Sequence, residues 1–212
     1  MISWKNSFNH ILYKVITLAF TALFSGYSVF GGLGKEPPET PADFEPVLRF
    51  TVCSDIHLGS EMEQTNSKRY VSLFGQSYEY SENHDTYKKL DAVVVCGDFT
   101  DEGLGGEYKI FNKITNENVK PETKMLVCMG NHEFIESRND DSVDPFENYY
   151  KYVSENTETH EVINGYHFIG FSYSDNDENF GDKLKWLDSE LKKATAENKN
   201  KPVFVFQHPH PT

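Results

Sequence analysis

The sequence predicts an α/β domain preceded by a leader segment. Apolar, β-branched runs alternate with helical patterns in the first half of the chain, and each of these runs ends in a polar loop. In the second half, an Asn-Gly pair lies between two apolar runs, which is the strongest short-range signal of an antiparallel hairpin. These observations together predict a layered α/β fold with antiparallel additions.

The leader, residues 1–34, has the order of a secretory signal: two lysines, the apolar run of residues 15–24, then small residues. The alternative is a membrane anchor that is not cleaved, because residues 15–34 are uncharged and near the ~20 residues that span a bilayer. Residues 35–46 are rich in Pro and Glu and are predicted to form a linker. We expect a protein exported to the cell envelope or the extracellular space, with membrane attachment if the anchor is retained.

Four apolar runs predict buried strands. The first lies between Pro46 and the polar Ser54, and the last ends at Gln207. The predicted strands are residues 47–53, 91–96, 124–129 and 202–206.

Helical patterns fill the intervals between these strands. Asn164-Gly165 marks the hairpin, and Leu184, Trp186, Leu187 and Leu191 lie roughly on one face of a later helix. The other predicted helices are residues 67–73, 84–90, 107–114 and 146–153.

Composition limits the class of function. A chain of 212 residues with 38% hydrophobic residues can bury one catalytic domain. The formal net charge of −13 argues against a nucleic-acid-binding surface, because such surfaces carry clustered Lys and Arg. Cys53, Cys96 and Cys128 lie inside apolar runs, so we expect buried free thiols; no Cys/His spacing supports a thiolate metal site.

Two polar motifs follow the first two strands. In Asp55-Ile56-His57, an extended turn would point both side chains the same way, so that they could bind one cation. In Gly97-Asp98, Gly permits a tight turn and the carboxylate of Asp98 has two oxygens with which to bridge two ions. Taken singly, each motif is as well explained by an N-cap or an ordinary turn Asp.

Two further motifs follow the third and the last strand. In Gly130-Asn131-His132-Glu133, the Asn amide oxygen is a neutral ligand, and His132 would be free to act on a bound substrate. His208 stands at the end of the last strand, although any single histidine is more often a core or surface residue. All four motifs lie at the ends of predicted strands, which is where α/β sheets place their ligand sites. Together they favour a metal site over the separate explanations. Oxygen and imidazole ligands suit Mn, Fe or Zn.

These motifs resemble, in this order, the successive blocks of the calcineurin-like metallophosphoesterase family. The resemblance covers residues 47–212 and implies a four-layer α/β/β/α sandwich. It also implies that Asp98 bridges two metal ions and that His132 assists departure of the leaving group or stabilises the transition state. The other implied ligands are Asp55 and His57 for the first ion, and Asn131 and His208 for the second.

One departure from the family pattern concerns its Gly-His-x-His block, which supplies one more ligand to each metal. The sequence reaches Thr212 without a Gly-His-x-His block. The alternative is that His208-Pro209-His210 is this block, but Gln207 stands where the block has Gly, which disfavours this alternative. We therefore expect the domain over residues 47–212 to be incomplete.

The expected activity is hydrolysis of phosphomonoesters or phosphodiesters by hydroxide bound to two divalent metal ions. The alternative is a truncated metal-binding domain without catalytic activity. A phosphate-ester substrate is the expected partner, and the sequence does not predict the oligomeric state.

Overall fold

The first sheet is parallel and positions three of the polar motifs. The computed structural model describes residues 43–140, 142–173 and 177–208. It contains β1 (Phe50–Cys53), β2 (Ala92–Cys96) and β3 (Lys124–Cys128) in the order β1-β2-β3. Because parallel strands all end at the same edge, the loops that follow them meet there.

The central strand β2 is apolar throughout because both of its faces are covered. Val93 and Val95 belong to one core cluster, whereas Ala92 and Val94 belong to a second cluster on the opposite face. This division follows from the alternation of side chains along a strand.

Two long helices cover the first of these faces. They are α1 (Thr65–Glu82) and α2 (Gly105–Asn118), which place Tyr70 and Phe111 in the cluster with Val93 and Val95. The rings of Tyr70 and Phe111 are stacked, with centroids 5.5 Å apart.

Short helices follow β3. A 3-10 helix, His132–Phe134, leads directly into α3 (Ile135–Asn139), and α4 spans Pro145–Tyr152. The Asp144 side chain caps α4 by accepting a hydrogen bond from the backbone N–H of Phe146, and Pro145 occupies the first turn.

The second sheet has the order β4-β5-β6. The strands β4 (Glu158–Ile163) and β5 (Tyr166–Phe171) are antiparallel, and β6 (Val203–Phe206) runs parallel to β5. The turn between β4 and β5 is Asn164-Gly165, with φ angles of 52° and 76°. The helix α5 (Asp177–Glu197) precedes β6.

Apolar side chains of the two sheets share one cluster. Phe50 of β1 contacts three rings of the second sheet, with centroid distances of 5.0 Å to Phe168, 4.9 Å to Phe204 and 6.1 Å to Phe206. The two sheets are therefore held together by aromatic packing.

The predicted α/β class, the strands and the hairpin are confirmed within a few residues. Four of the predicted helices are also confirmed, although α1 and α5 are longer than predicted. The helix predicted over residues 84–90 is wrong, because this segment is non-helical. There the His84 ring accepts hydrogen bonds from the N–H groups of Thr86 and Tyr87, and the Tyr87 carbonyl accepts one from Arg49, so side chains satisfy the backbone in place of helical bonds. The four-layer order stays a prediction.

The leader predicted over residues 1–34 and most of the linker lie outside the described residues. Among the helices of the described part of the chain, none is both long and apolar enough to cross a bilayer.

Candidate metal centre

The loops after β1 and β2 are joined by backbone hydrogen bonds. The N–H of Asp55 donates to Gly97 O (3.2 Å) and the N–H of His57 donates to Asp98 O (3.0 Å). Asp55, His57 and Asp98 all have positive φ, at 55°, 48° and 50°. The expected extended turn over residues 55–57 is therefore wrong.

Positive φ is costly for residues with a Cβ, and such strain concentrates at functional sites. Of the four non-glycine residues with positive φ in the described chain, three are predicted metal ligands, Asp55, His57 and Asp98. The backbone thus supports a functional role for these residues, independently of their side-chain chemistry.

Two glycines let the loops approach one another. A Cβ on Gly97, whose φ is 73°, would lie 2.5 Å from Cβ and Cγ of His208. A Cβ on Gly130 would lie 2.5 Å from the Asp98 backbone N and 2.8 Å from Cδ2 of His208. Both contacts are too short for any larger residue, so glycine at these positions allows His208 to reach Asp98.

The first group of candidate ligands consists of Asp55, Asp98 and His208, which each offer one ligand atom within 4.8 Å of the others. His208 Nδ1 lies 2.7 Å from Cys96 O and must donate to it, which leaves the lone pair on Nε2. This Nε2 lies 3.0 Å from Asp98 Oδ2. Two acceptors at this distance need a proton or a cation between them.

The second group consists of His57, Asp101 and His132, with ligand atoms again within 4.8 Å of one another. His57 Nδ1 lies 3.6 Å from Asp101 Oδ1. His132 Nδ1 lies 2.6 Å from the Asp101 carbonyl oxygen, so it donates there and leaves Nε2 free to face the site.

The two groups are adjacent. Asp55 Oδ1 lies 3.9 Å from His57 Nε2, and Asp98 Oδ2 lies 4.0 Å from His132 Nε2. The structure thus brings together five of the six residues that the sequence predicted for the site, and His57 lies near both Asp55 and His132.

Asn131, the sixth predicted residue, immediately precedes the 3-10 helix that starts at His132. Its side chain does not cap that helix, so its amide is not used there. Its assignment as a metal ligand stays a prediction.

The sequence-based prediction missed Asp101. It stands three residues after Asp98 in the loop that follows β2, and a second carboxylate in that loop was the signal available. The structure adds it to the candidate ligands because the turn folds it back over His57 and His132.

Glu133 is a structural residue of the site. Its buried carboxylate accepts hydrogen bonds from the N–H groups of Asp98, Thr100 and Gly130, at 3.0, 2.9 and 2.5 Å, and from the Thr100 hydroxyl at 2.8 Å. Burial raises the pKa of this carboxyl, and the hydrogen bonds oppose that rise. Glu133 therefore ties the loop after β2 to the loop after β3.

The three cysteines are free. Burial raises the pKa of Cys53 to about 12 and that of Cys96 to about 11, so both remain protonated thiols near neutral pH. The prediction of buried free thiols is confirmed for Cys128, whereas Cys53 and Cys96 are free but only partly buried.

The donor set of the two groups fits divalent cations. It contains carboxylate oxygens and imidazole nitrogens without thiolate, which is the chemistry that Mn, Fe and Zn accept. Backbone carbonyls hold the rings of His132 and His208 through their Nδ1 atoms, which is how metal-binding histidines are commonly oriented.

The chain was compared with curated proteins and with models of protein families. None of the curated proteins matches the chain. The family model described as calcineurin-like phosphoesterase matches residues 48–212, which include both ligand groups. Together with the candidate ligands, this match supports a metal-dependent phosphoesterase. The chain belongs to the calcineurin-like phosphoesterase family.

Proposed function

We propose that this protein hydrolyses phosphomonoesters or phosphodiesters at a site that binds two divalent cations, Mn, Fe or Zn. The observation that supports two cations is the adjacency of the two ligand groups, whose ligand atoms approach to 3.9 Å between Asp55 and His57 and to 4.0 Å between Asp98 and His132. Such cations would lower the pKa of a water molecule and neutralise charge on the phosphate oxygens.

Asp98 is suited to lie between the two ions. Its Oδ1 accepts a hydrogen bond from the His132 N–H at 2.9 Å, and its backbone N–H is held by Glu133. These contacts leave Oδ2 directed toward the Nε2 atoms of His208 and His132, at 3.0 and 4.0 Å. The carboxylate is therefore fixed in position before any ligand binds.

His132 lies in the second ligand group, but we assign it to proton transfer rather than to metal binding, which leaves His57 and Asp101 as the candidate ligands of that group. The Nδ1 of His132 is committed to the Asp101 carbonyl, which fixes the tautomer and leaves Nε2 as the nitrogen that would hold a proton for the leaving oxygen. The ring is 30% exposed, so a bound substrate can reach it. Its arrangement supports a general-acid role rather than a buried structural one.

A phosphate ester of modest size is the proposed substrate. The net charge of −13 disfavours a polyanion, because local cations would offset repulsion only near the reacting phosphate.

The test measures hydrolysis of p-nitrophenyl phosphate and bis(p-nitrophenyl) phosphate by the full chain with added Mn. We expect turnover that chelation abolishes, and His132→Ala should lower it ~10²- to 10⁴-fold while the bound metal, measured by elemental analysis, is retained. Asp98→Asn should instead lower the metal content. The control His84→Asn lies outside both ligand groups and should change neither quantity.

Metal-dependent turnover that is unaffected by His132→Ala would contradict the role of His132. Tightly bound metal with no turnover on either ester would favour the alternative, a metal-binding domain without catalytic activity.

A further inference from the structure

Four titratable side chains outside the candidate metal centre form a connected row between the second sheet and α5. His160 lies on β4 and His167 on β5, whereas Glu190 and Glu197 lie on α5. The antiparallel register pairs His160 with Ile169 and Val162 with His167, so the two imidazoles are diagonal neighbours on one face. We call these four residues the Glu-His-His-Glu chain.

Each member of the chain contacts the next. Glu190 Oε2 lies 2.6 Å from His160 Nδ1, His160 Nε2 lies 2.8 Å from His167 Nδ1, and His167 Nε2 lies 3.5 Å from Glu197 Oε2. The side chains of His167 and Glu190 are only 3% and 9% exposed. None of the four belongs to either candidate metal-ligand group.

Hydrogen-bond chemistry limits how many protons the chain can hold. An ionised Glu190 only accepts, so His160 Nδ1 donates to it, and a neutral His160 then accepts at Nε2 from the Nδ1–H of His167. One further proton fits on His167 Nε2, where it faces Glu197. A second proton would bind to His160 Nε2. The N–H groups of His160 Nε2 and His167 Nδ1 would then face each other at 2.8 Å, and no hydrogen bond could join them.

We propose that the Glu-His-His-Glu chain makes the docking of α5 sensitive to pH, because a second proton breaks the bond between His160 and His167 and loosens the helix. The proposal does not rest on the phosphoesterase function. It concerns the imidazoles of the second sheet and not those of the metal centre.

Two of the neighbouring carboxylates are paired with lysines. Lys193 contacts Glu190 at 2.5 Å, and Lys183 of α5 contacts Glu158 of β4 at 2.5 Å. The hydrogen bond from Lys193, followed by that from His160, holds the pKa of Glu190 below its ordinary value. Stability from a lowered carboxyl pKa is lost only as pH falls through that lowered value, well below the range in which imidazoles titrate.

The neighbours of the two imidazoles on β6 are apolar. Val203 and Val205 of β6 pair with His167 and Ile169 and share their face. Ala194 is the one apolar side chain that is buried among residues 181–197 of α5. Trp186, Leu187 and Leu191 are only partly buried, so the polar contacts add to the attachment of the helix.

The experiment measures hydrogen–deuterium exchange of the full chain at pH 7.5 and 5.5, corrected for intrinsic rates. We expect protection of residues 181–197 to fall ~10-fold or more at the lower pH, while α2 serves as the internal reference. In His167→Asn, an amide can offer either a donor or an acceptor to His160, so this pH response should disappear. The matched control His84→Asn removes an imidazole that does not belong to the Glu-His-His-Glu chain, so the pH response should be retained.

If protection of α5 does not change with pH, or if His167→Asn responds as the unchanged protein does, the proposal is overturned. Should His167→Asn fail to fold, Glu197→Gln is the second variant, because Glu197 is 66% exposed and tolerates substitution. Removing this anion weakens proton binding, so the loosening should move to lower pH, and an unchanged midpoint would also overturn the proposal.

Discussion

Glu133 organises the metal centre although it belongs to neither ligand group. Its two oxygens accept four hydrogen bonds from two loops, and three of these come from backbone N–H groups. A carboxylate suits this position because it is acceptor-only, whereas an amide presents two donors on one side.

Glu133→Gln should therefore destabilise the protein. Its amide nitrogen would face the N–H of Thr100 or of Gly130, and leaving buried donors unpaired should lower the free energy of unfolding by about 1–3 kcal/mol. Urea denaturation followed by circular dichroism measures this. Glu136→Gln, three residues later, is the control and should change stability by less than about 0.5 kcal/mol. Equal effects of the two changes would contradict the structural role of Glu133.

Residue types and their order predicted the candidate ligands, but they did not predict how the loop backbone places them. Asp55 and His57, assigned to one ion from their spacing and from the resemblance to the family, both have positive φ. Their assignment to one ion stays a prediction, and the structure adds Asp101 beside His57 and His132. Positive φ is enriched at Asn, Asp and His, but few residues of these types adopt it, so residue type alone does not locate it.

At the scale of elements, the hairpin between β4 and β5 was correctly predicted from Asn164-Gly165. The structure adds a second role for Asn164, because its Nδ2 donates to the carbonyl of Val47 at 3.1 Å, to the Tyr87 hydroxyl at 2.9 Å and to Asp91 Oδ1 at 3.0 Å. The turn thus anchors the second sheet to the segments before β1 and β2.

Two substitutions separate these roles. Asn164→Gly removes the side-chain hydrogen bonds but adopts positive φ readily. Asn164→Ala removes the same hydrogen bonds and also makes the positive φ costly. We expect Asn164→Ala to be less stable than Asn164→Gly by about 1–2 kcal/mol, the cost of left-handed backbone, and both to be less stable than the unchanged protein. Thermal and urea unfolding measure the differences. If the glycine variant matches the unchanged protein, the side chain of Asn164 contributes nothing to stability.

At the scale of the whole domain, aromatic packing joins the two sheets. Phe50 should contribute strongly because it contacts Phe168, Phe204 and Phe206 from across the cluster. We expect Phe50→Ala to lower the free energy of unfolding by about 3 kcal/mol. The matched control is Val52→Ala on the same strand, where the side chain is 48% exposed and the cost should stay below about 1 kcal/mol.

The stability of both variants is measured by urea unfolding. The unfolding is followed once by a signal of secondary structure and once by a signal of tertiary structure. A single shared transition is expected for the unchanged protein. If Phe50→Ala costs no more than Val52→Ala, the aromatic cluster does not hold the two sheets together.

The sequence by itself determined the α/β class, the strands, the hairpin and the types of the candidate ligands, whose role in binding metal stays a prediction. These depend on local periodicity, turn chemistry and ligand type, each of which a few neighbouring residues encode. Only the tertiary structure decided that Glu133 ties two loops together, that Asp101 joins His57 and His132, and that residues 84–90 are not helical. The physical reason is that each of these outcomes depends on hydrogen-bond partners or contacts brought close by folding, as Arg49 is for Tyr87 and Asp98 is for Glu133.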